Sequence, residues 1–184
     1  MARIPYFDLT KVTGRAAKHF ETKPRMLQMN LFRMLAHSGE LLDGWTRLGV
    51  QILSFTELDP VLREIAILRV GFLSKAKYEL HQHRRVARET GMSNALVEAV
   101  QSGPDSTEFD ELQQTVMAFT DEVVKHVRAS DATFQALSQK LSYKQMQELL
   151  VTIGYYMMVC RFLETFDVDI EDRPVPSAGR RSLD

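Results

Sequence analysis

The sequence has little cysteine, no excess of charge of one sign and no long apolar run. Its 184 residues include one cysteine, Cys160, which excludes an internal disulfide, a CxxC metal cluster and a two-cysteine redox couple within one chain. The 23 Lys and Arg nearly balance the 24 Asp and Glu, so charge does not predict nucleic-acid binding. No segment approaches the roughly 20 apolar residues that span a bilayer, and the N-terminus lacks a signal-peptide core. We therefore expect a soluble, cytoplasmic protein without nucleic-acid or membrane partners.

Helical periodicity is present along most of the chain. Apolar residues recur at spacings of three and four, strict alternation is missing, and good helix formers predominate. The hydrophobic fraction of 45% fits one globular domain. The sequence predicts an all-α fold with an irregular N-terminal arm over 1–24, a helical domain over 25–170 and a flexible C-terminal tail over 171–184.

Capping residues predict where several helices begin and end. Gly91 suits a left-handed C-terminal cap, so we expect the helix over 77–90 to stop there. The final helix, to about 166, is apolar on most of its surface and is expected to be central. Helix starts are predicted at Asp59 with Pro60, at Ser93, at Thr107 with Asp110, at Ser130, and at Ser142 with Gln145.

The helix over 77–90 places two ionisable residues on its apolar side. On a helical wheel Glu79 and His83 lie in the middle of that side, and their spacing of four lets the side chains meet. His81 lies on the polar side, where we expect it to be solvated. A buried ionisable pair costs free energy unless its members satisfy each other, and such pairs are often kept for function. Glu79 and His83 are the leading catalytic candidates; a structural pair that fixes helix packing is the alternative.

The preceding segment, "REIAILRVGFL", is apolar around nearly its whole circumference but contains Glu64 and Arg69. A carboxylate on such a helix needs a partner, although a first-turn glutamate favoured by the helix dipole is the alternative. The short connection predicts an antiparallel hairpin, and the packing angle decides whether Glu64 reaches Glu79 and His83. The three residues lack HExxH or paired ExxH spacing, so we predict no metal site.

Four further residues are candidates for substrate binding. Arg69 and Arg161 could hold a carboxylate, with core or inter-subunit salt bridges as the alternative. Tyr78 and Trp45 could line the pocket, although burial in the core is the simpler explanation for Trp45. Cys160 lies alone on an apolar helix and is expected to be an inert small hydrophobe.

Three segments, 30–49, 58–93 and 141–171, resemble the carboxymuconolactone decarboxylase family, which also contains the AhpD-like alkylhydroperoxidases. The core of the resemblance is "LDPVLREIAILRVGFLSKAKYELHQHRRVARETGMS". It implies an AhpD-like helical bundle that assembles as a homotrimer or homohexamer. In the peroxidase branch a glutamate precedes a CxxC motif and a histidine; Glu64 and His83 match the outer two, but Ala76 and Glu79 occupy the cysteine positions. The missing dithiol makes peroxidase activity the least favoured alternative.

The decarboxylase branch is similar in presenting a glutamate and a histidine four residues apart. The resemblance therefore implies cofactor-independent decarboxylation, or related proton transfer, on a small carboxylated lactone or related acid. Loss of CO2 leaves a dienolate that needs a proton. We expect His83 to be the general acid, Glu79 to orient it and Glu64 to relay or polarise. The alternative from another class is a non-catalytic helical oligomer that binds a small ligand or a partner protein.

Overall fold

The computed structural model describes residues 1–172, within which all regular structure is helical. The all-α prediction is therefore confirmed for this part of the chain, while residues 173–184 of the predicted tail lie outside it. Short 3-10 helices occupy Leu9–Lys11 and Pro24–Gln28. The α-helices are α1 (Gly14–Thr22), α2 (Asn30–Leu35), α3 (Gly39–Ser54), α4 (Pro60–Ser74), α5 (Lys77–Glu89), α6 (Asn94–Ser102), α7 (Glu111–His126), α8 (Asp131–Ser138) and α9 (Tyr143–Thr165).

The chain forms two compact units, and the division between them falls within α3. The first unit contains residues 1–49 together with the described residues from 166 onward, and the second contains residues 50–165. In the first unit the N–H of Arg3 donates to the carbonyl of Phe166 at 3.0 Å, which joins its two chain segments. Within residues 1–172, no helix combines the length and the apolarity needed to cross a bilayer.

The prediction of an irregular arm over 1–24 is wrong for α1, which covers Gly14–Thr22. Ala16 and Phe20 are its buried residues, four apart on one face. Because only these two side chains mark the buried face of a short, largely polar segment, the apolar period is too brief to identify the helix from sequence.

The core of the second unit is α4, whose residues 62–71 are all buried. It contacts α5, α6, α7 and α9. As predicted, the Asp59 carboxylate accepts hydrogen bonds from the first-turn amides, and Pro60 fills the first helical position. At its other end, Lys75 adopts a left-handed conformation with φ 55° and, with Ala76, leads directly into α5. The two helices pack as the expected antiparallel hairpin.

Most of the other predicted helix ends are confirmed. Gly91 follows α5 with a φ of +101°, a value that favours glycine. The side chains of Ser93 and Ser130 cap α6 and α8. The predicted start of α7 at Thr107 is wrong, because Asp110 and Gln113 form a reciprocal capping box that satisfies two backbone donors and begins the helix at Glu111.

Candidate functional site

Glu64 and His83 form a short, buried hydrogen bond between α4 and α5. Nδ1 of His83 lies 2.7 Å from Oε2 of Glu64. No surface of Glu64 is exposed, and 8% of His83 is exposed. This hydrogen bond holds the imidazole ring in one orientation. Glu64 therefore does reach the pair that the sequence identified.

Glu79 lies at the other nitrogen of the same imidazole. Its Oε1 is 3.1 Å from Nε2 of His83, which is an ion-pair distance across one helical turn. The angles are not those of a hydrogen bond, and Oε1 of Glu79 is buried with no hydrogen-bond partner. An orphaned buried acceptor costs free energy, so its presence beside a histidine is unusual for a purely structural contact. Glu64, His83 and Glu79 are called the carboxylate–histidine cluster below.

Close packing of α4 against α5 brings the cluster together. A Cβ atom on Gly71 would lie 3.0 Å from Cδ2 of Leu80, closer than ordinary van der Waals contact. Glycine at this position therefore allows α5 to lie so close to α4 that the Glu64 side chain reaches His83. Glu164 on α9 also accepts a hydrogen bond from the Lys77 amide at 3.2 Å, which fixes the first turn of α5.

Two residues that were not predicted as site residues complete the surroundings of the cluster. The ring of Tyr156, on α9, meets the His83 ring edge to face, with centroids 4.9 Å apart. Nε of Arg63 lies 3.4 Å from Oε1 of Glu64. Tyr156 is hidden within an apolar run, where an aromatic residue indicates core; the only sequence signal for Arg63 was its position beside Glu64 at the start of an otherwise apolar helix.

Burial and charge oppose each other at the cluster. Burial lowers the pKa of His83, but the charges of Glu64 and Glu79 and the hydrogen bond to Glu64 outweigh it, so the pKa lies above its ordinary value. Burial raises the pKa of Glu79, and the charge of Glu64 adds to this while that of His83 opposes it. Both groups therefore hold a proton more tightly than they would in water, and they compete for it across the 3.1 Å contact.

The raised pKa values predict how stability depends on pH. Above the ordinary histidine pKa of 6.5, the folded protein holds more protons than the unfolded chain, so its free energy of unfolding decreases as the pH rises. One proton contributes a slope of at most about 1.4 kcal/mol per pH unit. Glu79→Gln removes one of the charges that raise the pKa of His83. We therefore expect the free energy of unfolding of this variant to decrease less steeply with pH than that of wild type. Urea unfolding at several values between pH 6 and 9 measures both slopes; equal slopes would contradict the assignment.

The other sequence-predicted candidates have the following surroundings in the structure. Arg69 is buried, and its guanidinium donates to both carboxylate oxygens of Asp121, with Nη2 to Oδ2 at 2.7 Å. Arg161 is exposed and donates to a carbonyl of its own helix. Tyr78 is buried on α5, and Trp45 is buried in the first unit. Arg69 and Arg161 are therefore left out of the site proposed below.

Two surface cavities occur elsewhere in the chain. One, of about 320 Å³, is lined by Glu122, His126 and the residues 128–130. The other, of about 500 Å³, lies in the first unit and is lined by Tyr6 and by residues near positions 30 and 170. Neither is lined by the carboxylate–histidine cluster, within which the His83 side chain is 10% exposed; the side chain of the neighbouring Arg63 is 8% exposed.

Several solved structures share this fold. An uncharacterised peroxidase-related protein with an AhpD core from Ralstonia eutropha has a TM-score of 0.81 at 15% identity, over 93% of both chains. A peroxidase-related protein from a Silicibacter species has a TM-score of 0.77 at 18% identity, over 91% of this chain and 89% of that one. The debrominase Bmp8, in complex with 2,3,4-tribromopyrrole, has a TM-score of 0.74 at 17% identity, over 94% and 95%. At these identities the likeness shows the AhpD-like fold.

The carboxymuconolactone decarboxylase family profile matches residues 39–130, which is half of the chain and includes α4, α5 and the whole carboxylate–histidine cluster. The protein belongs to the carboxymuconolactone decarboxylase family. No curated protein sequence matches the chain.

Proposed function

We propose that the carboxylate–histidine cluster carries out cofactor-independent proton transfer, including decarboxylation, on a small carboxylated lactone or related acid. The observation that supports this most is the buried Glu64–His83 hydrogen bond of 2.7 Å with Glu79 on the opposite ring nitrogen. A general acid must be oriented and must hold a proton near neutral pH. Glu64 supplies the orientation, and the raised pKa values of His83 and Glu79 supply the retained proton.

In this proposal the roles differ from those that we expected from the sequence. Glu64, with the shorter contact, orients His83, whereas Glu79, whose Oε1 lies 3.1 Å from Nε2 without a hydrogen bond in the resting structure, stores a proton. In decarboxylation the bond between the carboxyl carbon and the ring breaks, and its electron pair is delocalised into the unsaturated lactone. The proton at Nε2 of His83 is then transferred to carbon, Glu79 passes its proton to the imidazole, and solvent returns a proton to Glu79. CO2 leaves and one proton from solvent replaces it, so no oxidant or reductant is consumed.

A non-catalytic role is the second candidate, and the burial of the cluster favours it. Glu64 is fully buried, and neither cavity described above is lined by the cluster. In that case the three side chains only fix the packing of α4 against α5 within a helical oligomer. Assembly as a trimer or hexamer is part of both proposals, and α9 exposes apolar side chains suited to an interface, namely Leu150, Val151 and Met158.

Peroxidase chemistry is the least favoured alternative. Ala76 and Glu79 stand where the resemblance places the two cysteines. Cys160 is fully buried, and burial raises the pKa of its thiol. Since the thiolate is the reactive form, this cysteine is poorly suited to attack a peroxide.

The experiment that tests the leading proposal measures CO2 release from 4-carboxymuconolactone by the wild-type protein. In Glu79→Gln, which keeps the shape of the side chain but cannot store a proton, we expect the rate to fall at least about tenfold. His81→Ala is the matched control, because His81 is an exposed histidine on the same helix. Turnover that survives in Glu79→Gln would remove Glu79 from the mechanism, and folded wild-type protein without turnover would favour the non-catalytic role.

A further inference from the structure

The two arginines on α4 are both buried, but they differ in how their hydrogen bonds are satisfied. Arg63 and Arg69 each expose 7% of their surface. Arg69 donates four hydrogen bonds, to both oxygens of Asp121 and to the carbonyls of Val100 and Gln101. Among residues 1–172, the only hydrogen-bond or ion-pair partner of Arg63 is Glu64, through the single 3.4 Å contact of Nε. A guanidinium has five donors, so the terminal nitrogens of Arg63 are left without an acceptor.

The terminal nitrogens of the Arg63 guanidinium are not buried, so they reach solvent although only 8% of the side chain is exposed. The planar pair of terminal nitrogens of a guanidinium matches the two oxygens of a carboxylate better than any other side chain does. Arg63 thus presents two terminal nitrogens that have no protein acceptor among residues 1–172. Arg69, on the same helix, makes a two-point pair with Asp121 through Nε and Nη2.

Arg63 is also directly coupled to the carboxylate–histidine cluster. Oε1 of Glu64 faces Nε of Arg63, and Oε2 of the same carboxylate faces Nδ1 of His83. The charge of Arg63 acts on the pKa of both His83 and Tyr156. An anion on the terminal nitrogens would therefore be separated from the imidazole by one carboxylate, that of Glu64.

We propose that Arg63 binds the carboxylate of a small, flat, unsaturated acid beside the carboxylate–histidine cluster. The His83 ring next to it packs edge to face with Tyr156, and aromatic rings favour contact with a flat, unsaturated ligand. The inference rests on the proposed function for the fate of the bound acid, but the binding step can be measured without turnover. It assigns carboxylate recognition to a residue adjacent to Glu64.

Binding of 2-furoate, a flat ring with one carboxylate, tests the inference by calorimetry beside its neutral isostere 2-furamide. We expect wild type to bind 2-furoate more tightly than 2-furamide, and Arg63→Gln to weaken the binding of 2-furoate by about tenfold or more, as for a lost charge-assisted pair. Arg63→Lys keeps the charge but not the planar fork, so an intermediate affinity is expected. Arg88→Gln is the control, since it removes the same charge from an exposed position on α5.

The outcomes separate this inference from the proposed function. The role of Arg63 would be overturned if wild type did not bind 2-furoate, or bound 2-furoate and 2-furamide with equal affinity. It would also be overturned if a folded Arg63→Gln bound 2-furoate as tightly as wild type. These conclusions hold whether or not CO2 release is observed. Should Arg63→Gln not fold, Arg63→Lys and the wild-type comparison of the two ligands decide the question. Binding that depends on Arg63 without any CO2 release would support the anion site while removing the lyase proposal.

Discussion

Under the proposed function, replacing His83 with asparagine should lower the rate of CO2 release from 4-carboxymuconolactone roughly 10²- to 10⁴-fold, the range that a positioned general acid contributes. Asparagine can still donate to Oε2 of Glu64, the contact that Nδ1 of His83 makes at 2.7 Å. It lacks the titratable nitrogen that faces Glu79. The variant therefore separates proton transfer from the packing contact, which His83→Ala would not do, because alanine also leaves Glu64 buried without its partner.

Initial rates of CO2 release, normalised to folded protein, measure this effect. Circular dichroism and light scattering establish that the variant keeps the fold and the assembly of the wild type. His81→Asn makes the same exchange on the exposed side of α5 and should leave the rate unchanged. If His83→Asn retains more than about a tenth of the wild-type rate, His83 is not the general acid.

The largest effect on stability is expected for Asp121→Ala. Asp121, on α7, accepts two hydrogen bonds from the guanidinium of Arg69, and Lys125 donates to it at 2.8 Å. Burial raises the pKa of Asp121, but these cations outweigh it and hold the pKa below its ordinary value. Removing the carboxylate leaves the buried guanidinium of Arg69 without its charged partner. We therefore expect the free energy of unfolding to fall by about 3–5 kcal/mol.

Urea denaturation of wild type and variant at neutral pH provides the measurement. Lys125→Gln is the matched control, because its side chain is 47% exposed and such an ion pair is worth about 1 kcal/mol or less. The double variant Arg69→Met, Asp121→Leu removes both charges and should recover much of the loss. A destabilisation by Asp121→Ala no larger than that by Lys125→Gln would show that the buried pair does not carry the stability assigned to it.

Local signals in the sequence were sufficient to predict much of the second unit. Asp59 with Pro60, and Gly91, each act over a few residues through fixed capping geometry, and each marks the end that was predicted. The burial of Glu79 and His83 followed from helical periodicity, since the apolar side of α5 faces the core. These predictions needed no knowledge of how the helices cross.

The contacts between helices could not be predicted in the same way. Whether Glu64 reaches His83 depends on the close approach of α4 and α5 that Gly71 permits, and periodicity carries no information about it. In the sequence, Arg63 and Arg69 are both isolated cations on the same largely apolar helix, and no local signal distinguishes them. Their difference arises because Asp121 comes from α7, fifty-two positions along the chain from Arg69.

The position of Glu79 in the first turn of α5 has a consequence for how the family can diversify. The partial positive charge at a helix N-terminus stabilises an anion in the first turn and lowers the pKa of a thiol located there. In members with a CxxC motif, the resemblance places both cysteines in this turn, at the positions of Ala76 and Glu79 in this chain. The same backbone dipole would favour a thiolate there, and in this chain it opposes the burial that raises the pKa of Glu79. Under the proposed function, an exchange of two side chains replaces redox chemistry with acid–base chemistry while the helix and its dipole are retained.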